Sequence, residues 1–223
     1  MDYHIECNPT YSAVEIALQA GESIVSEAGA MAWMTSNMQT KTSTRGGVMA
    51  GLKRALLTKE SFFQNTYTPQ GDSGSVTFAP GSSGDIVAME LDNEELFLEK
   101  GAYLASGEDV NCNSKWDGLK GIFNQGMFVL RVTGTGPLFF HSYGRIEPID
   151  VDGEYVTDNG YAVAWEPSLT YTLTRAKKIR SFLFADQLLL KFSGRGRVWV
   201  QSRSARVLAN WAHPFRPVQQ DNN

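Results

Sequence analysis

The feature that most constrains this sequence is a strand-like pattern that returns three times at a nearly constant spacing. An apolar run rich in Phe, Leu and Val precedes a pair of close glycines, and a second apolar run follows it. Gly71, Gly134 and Gly194 mark the three occurrences, one in each third of the chain. Self-similarity at a regular spacing is typical of tandem repeats. We interpret each occurrence as a β-hairpin late in one of three units.

A second recurring pattern lies earlier in each unit. One glycine separates two apolar runs, where a positive φ would allow a tight hairpin turn. These glycines are Gly21, Gly101 and Gly160. Between the two patterns, Leu169, Tyr171 and Leu173 alternate with three threonines. Alternation with a period of two predicts a half-buried strand.

Together these patterns predict an all-β fold. We expect one compact domain over residues 1–212, built from three tandem units of about 1–88, 89–150 and 151–212. A unit of this size can form two small sheets whose inner faces cover each other, as in a short double-stranded β-helix or sandwich. Residues 213–223 are polar and interrupted by proline, which predicts a flexible tail.

One or two short helices are expected within this β framework. Residues 46–60 can form a helix after their glycines, and residues 113–123 are its counterpart in the second unit. A helix that touches a membrane surface is one interpretation, because the segment is weakly amphipathic. Its shortness favours a helix that closes the end of a β-sandwich.

Composition limits the function classes. The chain has 223 residues, 42% hydrophobic and 20% charged, which excludes intrinsic disorder. No apolar run approaches the roughly 18 residues of a membrane-spanning helix, and neither a secretory signal nor a transit peptide is recognisable. Cys7 and Cys112 cannot make a disulfide framework, so we expect a cytoplasmic protein.

The charges are distributed unevenly along the chain. Residues 1–173 hold 10 basic and 22 acidic residues, whereas residues 174–223 hold 10 basic and 2 acidic residues. The basic segment could bind nucleic acid or another anionic ligand, or it could face solvent or acidic parts of neighbouring subunits. The candidate anion contacts are Arg175, Lys177, Lys178, Arg180, Arg195, Arg197, Arg203 and Arg206.

Residues that carry catalysis are sparse. His4, His141 and His213 lie in different thirds of the chain without metal-ligand spacing, so we expect no metal site and interpret His141 as a structural histidine. Carboxylates flank both cysteines and disfavour a thiolate nucleophile. Gly134 and Gly194 open Gly-x-Gly motifs that no helix follows, so neither predicts a dinucleotide loop. We expect no catalytic residue and no cofactor, and a cupin-like metal enzyme is the weakest hypothesis.

Several segments together resemble a known family, the bacterial and archaeal proteins related to altered inheritance of mitochondria protein 24. The likeness extends from about residue 3 to about residue 212, and its motifs are specific as a set. They are Gly29-Ala30-Met31-Ala32-Trp33-Met34, Gly51-Leu52-Lys53-Arg54, Glu60-Ser61-Phe62-Phe63-Gln64-Asn65-Thr66-Tyr67, Gly84-Asp85-Ile86, and Gly134-Thr135-Gly136-Pro137-Leu138-Phe139-Phe140-His141-Ser142-Tyr143-Gly144.

The resemblance implies a fold grouped with tryptophan RNA-binding attenuation protein, with subunits joined in a ring of three copies. It implies no catalytic residue, and no RNA-contacting residue can be matched by position. The leading hypothesis is therefore a non-enzymatic assembly or scaffold protein that associates with itself and with other proteins. An acidic and a basic part on one chain favour head-to-tail contact, which closes into a ring if the rotation fits.

Overall fold

The computed structural model describes residues 1–44, 63–114, 129–175 and 188–216. Within these ranges the chain is almost entirely antiparallel β-sheet with one short α-helix, which confirms the all-β prediction. The strands are β1 (Asp2–Glu6), β2 (Ala13–Gln19), β3 (Ile24–Glu27), β4 (Met31–Met34), β5 (Met38–Thr44), β6 (Phe63–Pro69), β7 (Ser73–Phe78), β8 (Ile86–Glu99), β9 (Tyr103–Gly107), β10 (Val110–Ser114), β11 (Val129–His141), β12 (Ile146–Asp158), β13 (Ala162–Trp165), β14 (Thr170–Arg175) and β15 (Leu188–Gln201). Helix α1 spans Ala205–Ala212, and 3₁₀ turns lie at Lys100–Ala102 and His213–Phe215.

Three groups of strands share one pairing pattern. We name them group 1 (β2–β7), group 2 (β8–β11) and group 3 (β12–β15). In each group the first strand pairs with the last strand: β2 with β7, β8 with β11, and β12 with β15. A short strand pairs with the other edge of that last strand: β4 with β7, β9 with β11, and β13 with β15.

The groups join side by side through their short strands. In the larger sheet the order is β12-β15-β13-β8-β11-β9-β3-β6-β5, so that group 3, group 2 and part of group 1 follow one another. A second sheet has the order β1-β2-β7-β4 and contains the rest of group 1. Strand β4 therefore lies at one edge of the small sheet, and strand β12 lies at one edge of the large sheet.

The predicted late hairpins are wrong in all three groups. In group 1 the strands on either side of Gly71, β6 and β7, belong to different sheets and do not pair. In groups 2 and 3 the two predicted strands are one continuous strand. Gly134 and Gly136 lie inside the single strand β11, and Gly194 lies inside the single strand β15. All three glycines have positive φ, between 124° and 136°. At Gly134 a β-carbon would collide with the carbonyl oxygen of Asp109. The glycines therefore bend one long strand and allow close backbone approach rather than reversing the chain.

The earlier glycine turns are also not hairpins. Gly21 has a φ of 83°, as predicted, but Gly101 lies in a 3₁₀ turn and neither it nor Gly160 has positive φ. The strands on either side of these turns do not pair with each other. The true hairpin partners are β5 with β6, β10 with β11, and β14 with β15.

Three apolar clusters form the core, and each draws residues from more than one strand. The predicted alternation in β14 is present, because Leu169 is buried beside it while Thr170 and Thr172 are exposed. The largest fully buried side chain is Trp165, which lies where groups 2 and 3 meet. Each cluster lies mainly within one group and takes in a few residues of a neighbouring group.

Several predictions fall partly or wholly outside the described residues. The predicted helix at 46–60 lies outside them, and so does 115–123 of its counterpart, whose first two residues end β10. Helix α1 occupies a part of the third predicted unit that sequence analysis assigned to β structure, and residues 213–216 of the tail continue it as a 3₁₀ turn. The three unit boundaries stay predictions.

Candidate interaction site

Groups 1 and 2 meet through strands β3 and β9, and polar side chains hold this junction together. Val25 pairs with Ser106 and Ser26 with Ala105, and all four residues are buried. The hydroxyl of Tyr103 donates to the carbonyl of Val25 at 3.2 Å. The same hydroxyl lies 3.0 Å from the Ser106 hydroxyl and accepts from the Gln64 amide at 3.4 Å. The Tyr103 and Ser106 hydroxyls and the Gln64 amide N–H thus bond to one another inside this junction, whereas the Gln64 Oε1 is buried without a partner among the described residues.

Groups 2 and 3 meet through strands β8 and β13, and aromatic rings hold this second junction. Phe97 pairs with Trp165 and Leu98 with Ala164, in the same antiparallel arrangement. The Trp165 ring contacts Tyr171 at 5.0 Å, Phe192 at 5.5 Å and Phe97 at 6.1 Å between centroids. This is the edge-on and tilted packing that aromatic rings prefer.

Strand β4 occupies in group 1 the place of β9 and β13, yet its outer edge has no strand partner among the described residues. Its four residues, Met31 to Met34, are all exposed, whereas every residue of β9 and β13 is buried. Trp33 is 57% exposed and Met34 is 37% exposed. An uncovered edge strand with large apolar side chains is a template for pairing with another strand.

Strand β12 provides the second open edge. It pairs with β15 over its whole length and ends the large sheet in the part of the chain that the structure describes. Near its carboxyl end Val156 is 51% exposed. The matching part of β8, at Phe97 and Leu98, is covered by β13. The three groups thus meet at two buried junctions, whereas β4 of group 1 and the carboxyl end of β12 of group 3 each keep an uncovered edge among the described residues.

Helix α1 lies beside this second edge. The Arg206 guanidinium binds the carboxylate of Asp158, the last residue of β12, at 2.9 Å. No residue of α1 is buried, and its apolar side chains Val207, Leu208 and Trp211 face solvent. Trp211 packs against Phe215 with 5.5 Å between the ring centroids. The helix and the β12 edge thus form one surface with exposed apolar side chains.

The predicted cationic residues are largely neutralised within their own chain. Arg197 binds Asp150 at 2.7 Å, and Arg195 binds Asp152 at 3.0 Å. Both pairs join directly opposite residues of β15 and β12, and Lys191 binds Glu154 on the same face at 2.5 Å. These pairs form an exposed cross-strand ladder, which contributes little to stability but cancels the local charge. The sequence expectation of a free or intersubunit basic surface did not include this possibility.

The other predicted cations are scattered. Lys177, Lys178 and Arg180 lie outside the described residues, and for Arg175 only the backbone, at the end of β14, is described. The Arg203 guanidinium donates to the Ser202 carbonyl at 3.2 Å. It lines a cleft of about 330 Å³ together with the side chain of Arg145. The structure therefore brings Arg195 and Arg197 together in the cross-strand ion-pair ladder of β12 and β15, while Arg203 and Arg206 make their described contacts outside it.

Comparisons with known proteins agree with this architecture. The family model described as mitochondrial biogenesis AIM24 matches residues 3–203. The chain belongs to the AIM24 family. An uncharacterized protein of Streptococcus pyogenes serotype M6 is 29% identical over 98% of this chain and 92% of its own length. The crystal structure of a Streptococcus pyogenes protein is similar with a TM-score of 0.80 and 28% identity, over 96% of this chain and 99% of that one.

Sequence analysis of this AIM24 family member missed the open edge of β4. Met31-Ala32-Trp33-Met34 is a short apolar run, and such a run predicts a buried strand as readily as an exposed one. Its segment was noticed only for the family likeness. The one signal that could have singled it out is the presence of three large apolar residues where β9 and β13 hold several small ones.

A titratable pair, the buried His141 and the half-buried Glu27, lies near the first junction. His141, predicted as a structural histidine, is buried, and its Nε2 lies 3.9 Å from Glu27 Oε1. Its Nδ1 is buried without a hydrogen-bond partner among the described residues. Burial lowers the pKa of His141 to about 4. Burial, with the nearby Glu99 carboxylate, raises the pKa of Glu27 to about 7, so at neutral pH the histidine is uncharged.

Metal and membrane sites were also sought. Within residues 1–44, 63–114, 129–175 and 188–216, no cluster of three His, Cys, Asp or Glu side chains is arranged to hold a metal ion. In the same ranges no helix has the length and apolar character to cross a membrane. Cys7 is exposed and Cys112 is buried, and the two do not form a disulfide.

Proposed function

We propose that this AIM24 family protein is a non-enzymatic assembly protein whose copies join head to tail into a closed β ring. The single observation that carries the proposal is the exposed apolar edge of β4, at the place where β9 and β13 are buried. We further propose that groups 1, 2 and 3 are units of one tandem repeat, arranged as in tryptophan RNA-binding attenuation protein. The ring that we propose contains three copies of this chain.

The outer edge of the short strand is paired in two groups and uncovered in the third, in the part of the chain that the structure describes. Two of the three groups bury their short strand against the neighbouring group, and group 1 leaves the outer edge of β4 uncovered among the described residues. A head-to-tail contact would cover that edge with a strand from a second copy. Contacts of this kind close into a ring when the rotation per copy divides a full turn, and they form open filaments when it does not.

The test is the mass of the untagged chain at micromolar concentration in low and moderate salt. Native mass spectrometry and light scattering should give three times the mass of one 24.6 kDa chain. Open filaments would give a broad series of masses. A monomer under both salt conditions would overturn the proposal.

A matched pair of variants makes the test specific to β4. Trp33→Asp places a charge in the proposed contact and should dissociate the assembly, while the monomer keeps its fold because Trp33 is already 57% exposed. Tyr11→Asp is the control, since Tyr11 is an aromatic residue that is 71% exposed outside any strand. An assembly that survives Trp33→Asp as well as Tyr11→Asp would contradict a role for β4.

A second candidate function is binding of nucleic acid or another anionic ligand through the basic carboxyl-terminal third. The observation in its favour is the cleft that Arg145 and Arg203 share, because Arg203 bonds only a backbone carbonyl in its described contacts. The neutralised Arg195 and Arg197 make it the lesser candidate. Binding of a single-stranded oligonucleotide that falls steeply with salt, and falls further in Arg203→Glu, would support it.

The same proposal includes a cytoplasmic location and partners among other proteins. Two cysteines without a disulfide fit a reducing compartment, where Cys7 would remain unoxidised on the surface. A ring repeats any surface feature once per copy, and repeated weak sites give high total avidity. A scaffold built this way needs no catalytic group.

A further inference from the structure

The two open strand edges have complementary positions in the fold, and this deepens the proposed ring by identifying its contact. We infer that β4 of one copy pairs antiparallel with the carboxyl end of β12 of the next, with Met34 opposite Val156 and Trp33 opposite Thr157. The inference rests on the proposed function, because it requires a second copy of this chain. It assigns a specific register that the existence of a ring alone does not require.

The register on the β4 side comes from the last strands of the groups. In each group the short strand pairs with the last strand through one register shift. One matching place in the three short strands is held by Met34 opposite Val76, by Ser106 opposite Leu138, and by Trp165 opposite Val198. Trp33, Ala105 and Ala164 occupy the preceding matching place, opposite Thr77, Phe139 and Trp199.

The register on the β12 side comes from the first strands. Phe97 pairs with Arg131 of β11, and Val156 pairs with Lys191 of β15. Arg131 precedes Gly134 in β11 by the same number of positions as Lys191 precedes Gly194 in β15. Val156 is therefore the counterpart of Phe97. By the same pairing, Thr157 is the counterpart of Leu98.

The two internal junctions then show how the matching places meet. Ser106 pairs with Val25 across the first junction, and Trp165 pairs with Phe97 across the second. Met34 of β4 is the counterpart of Ser106 and Trp165, and Val156 of β12 is the counterpart of Phe97. The same pairing between two copies therefore places Met34 opposite Val156. One position along, Ala105 pairs with Ser26 and Ala164 with Leu98, which gives Trp33 opposite Thr157.

Exposure supports the same contact. Every residue of the internal pairs is at most 5% exposed, whereas Met34, Trp33 and Val156 are 37%, 57% and 51% exposed. Burying apolar surface is the main favourable term in the association of proteins, so a contact that covers these three side chains is favoured. Phe97 and Trp165 already pack with 6.1 Å between ring centroids, and Val156 and Met34 would form the apolar pair at the corresponding place. The occupant that fits each edge is thus the other edge.

Disulfide trapping between copies tests the register. Two single-cysteine chains, Met34→Cys and Val156→Cys, are made in a Cys7→Ser background, because Cys7 is the exposed native thiol and Cys112 is buried. The chains are mixed, allowed to exchange and mildly oxidised. Directly opposite residues of an antiparallel pair bring their β-carbons within about 4.5–5.5 Å, so little movement is needed for a disulfide. Random exchange of the two chains within a ring of three allows at most about half of them to become covalent dimers, and the yield should approach this limit.

The matched control is Met34→Cys mixed with Thr157→Cys. A shift of one residue moves a side chain to the opposite face of the sheet, so this mixture should give at least tenfold less covalent dimer. Each single-cysteine chain alone should also remain uncrosslinked, since the contact is head to tail. Masses measured before oxidation show whether the variants still assemble.

The outcomes separate the register from the ring. An assembled protein that crosslinks Met34→Cys with Val156→Cys, and not with Thr157→Cys, supports the inference. An assembled protein that crosslinks neither pair, or both equally, overturns the register and leaves the ring proposal standing. An unmodified chain that is monomeric at micromolar concentration overturns both.

Discussion

The two internal junctions use the same strand pairing but are stabilised by different chemistry. Between groups 1 and 2, the Tyr103 hydroxyl bonds Val25, Ser106 and Gln64. Between groups 2 and 3, Phe97 and Trp165 pack with neighbouring rings. The same backbone pairing therefore accommodates a polar network at one junction and packed aromatic rings at the other.

The two junctions should respond differently to the loss of a side chain. An aromatic cluster loses buried area and leaves a cavity when a ring is removed, which costs more than the loss of one hydrogen bond. When one member of a polar network is removed, the groups that bonded to it remain buried without that partner. Substitutions in the two junctions should therefore differ in magnitude and in pH response.

The largest effect is expected at the aromatic junction. Trp165→Ala should lower the free energy of unfolding by about 3–5 kcal/mol, because it removes a fully buried indole that contacts Tyr171 and Phe192. Chemical denaturation followed by circular dichroism measures the change. Trp165→Phe is the control: its cost should be much smaller, since the indole N–H that it removes is buried without a hydrogen-bond partner in the described chain. Equal costs for both variants would mean that packing does not dominate this junction.

An intermediate effect is expected at the polar junction. Tyr103→Phe should cost about 2–3 kcal/mol, because it leaves the buried Gln64 amide and Ser106 hydroxyl without this partner. The matched control is Tyr67→Phe, where the hydroxyl accepts one bond of 3.4 Å from Asn65 and the ring is equally buried. We expect that control to cost less than about 1 kcal/mol. The reverse order would contradict the role of the network.

The smallest effect concerns pH near the first junction. The pKa of Glu27 is raised to about 7 from an ordinary 4.5, so its folded form holds a proton more tightly than the unfolded form does. Stability from this group is complete below about pH 4.5 and is lost as the pH rises through 7. Glu27→Gln removes the loss and should gain about 1–2 kcal/mol relative to the wild type between pH 5 and pH 8, after allowance for partial exposure.

Thermal unfolding of both proteins across this pH range checks the prediction. The His141 pKa, lowered to about 4, makes wild-type stability rise with pH between about 4 and 6.5, but this trend is common to both proteins. Their difference therefore isolates Glu27. A difference that stays constant from pH 5 to pH 8 would contradict the raised pKa.

The strands themselves could be predicted from sequence because side-chain alternation is local. Tyr171 and Leu173 identify the apolar face of β14 even when the strand that pairs with β14 is unknown. Which strands pair could not be predicted in the same way. Gly134 suits a hairpin turn as well as a bend within β11, and only the position of Asp109 in space decides between them. Helix α1 was missed because its eight residues follow a long β pattern.

The candidate site was harder to predict than the fold. The basic residues were visible as a cluster, but Arg195 and Arg197 are paired with acids of β12 that lie far from them in sequence. The open edge of β4 depends on what is absent beside it, and sequence patterns carry no such information. Trp33 therefore belonged to the family motif without any indication that it would be exposed.

The long strands have a consequence for how the molecule comes apart. Strand β11 pairs with β8, β9 and β10, and β15 pairs with β12, β13 and β14. Loosening either strand breaks three ladders at once, and β13 also ties β15 to β8. Many repeat proteins fray from one end because each unit contacts only its neighbours through a separate interface. Here backbone ladders join all three groups, β3 with β9 and β8 with β13, so the amides of the large sheet should exchange with solvent as one cooperative block.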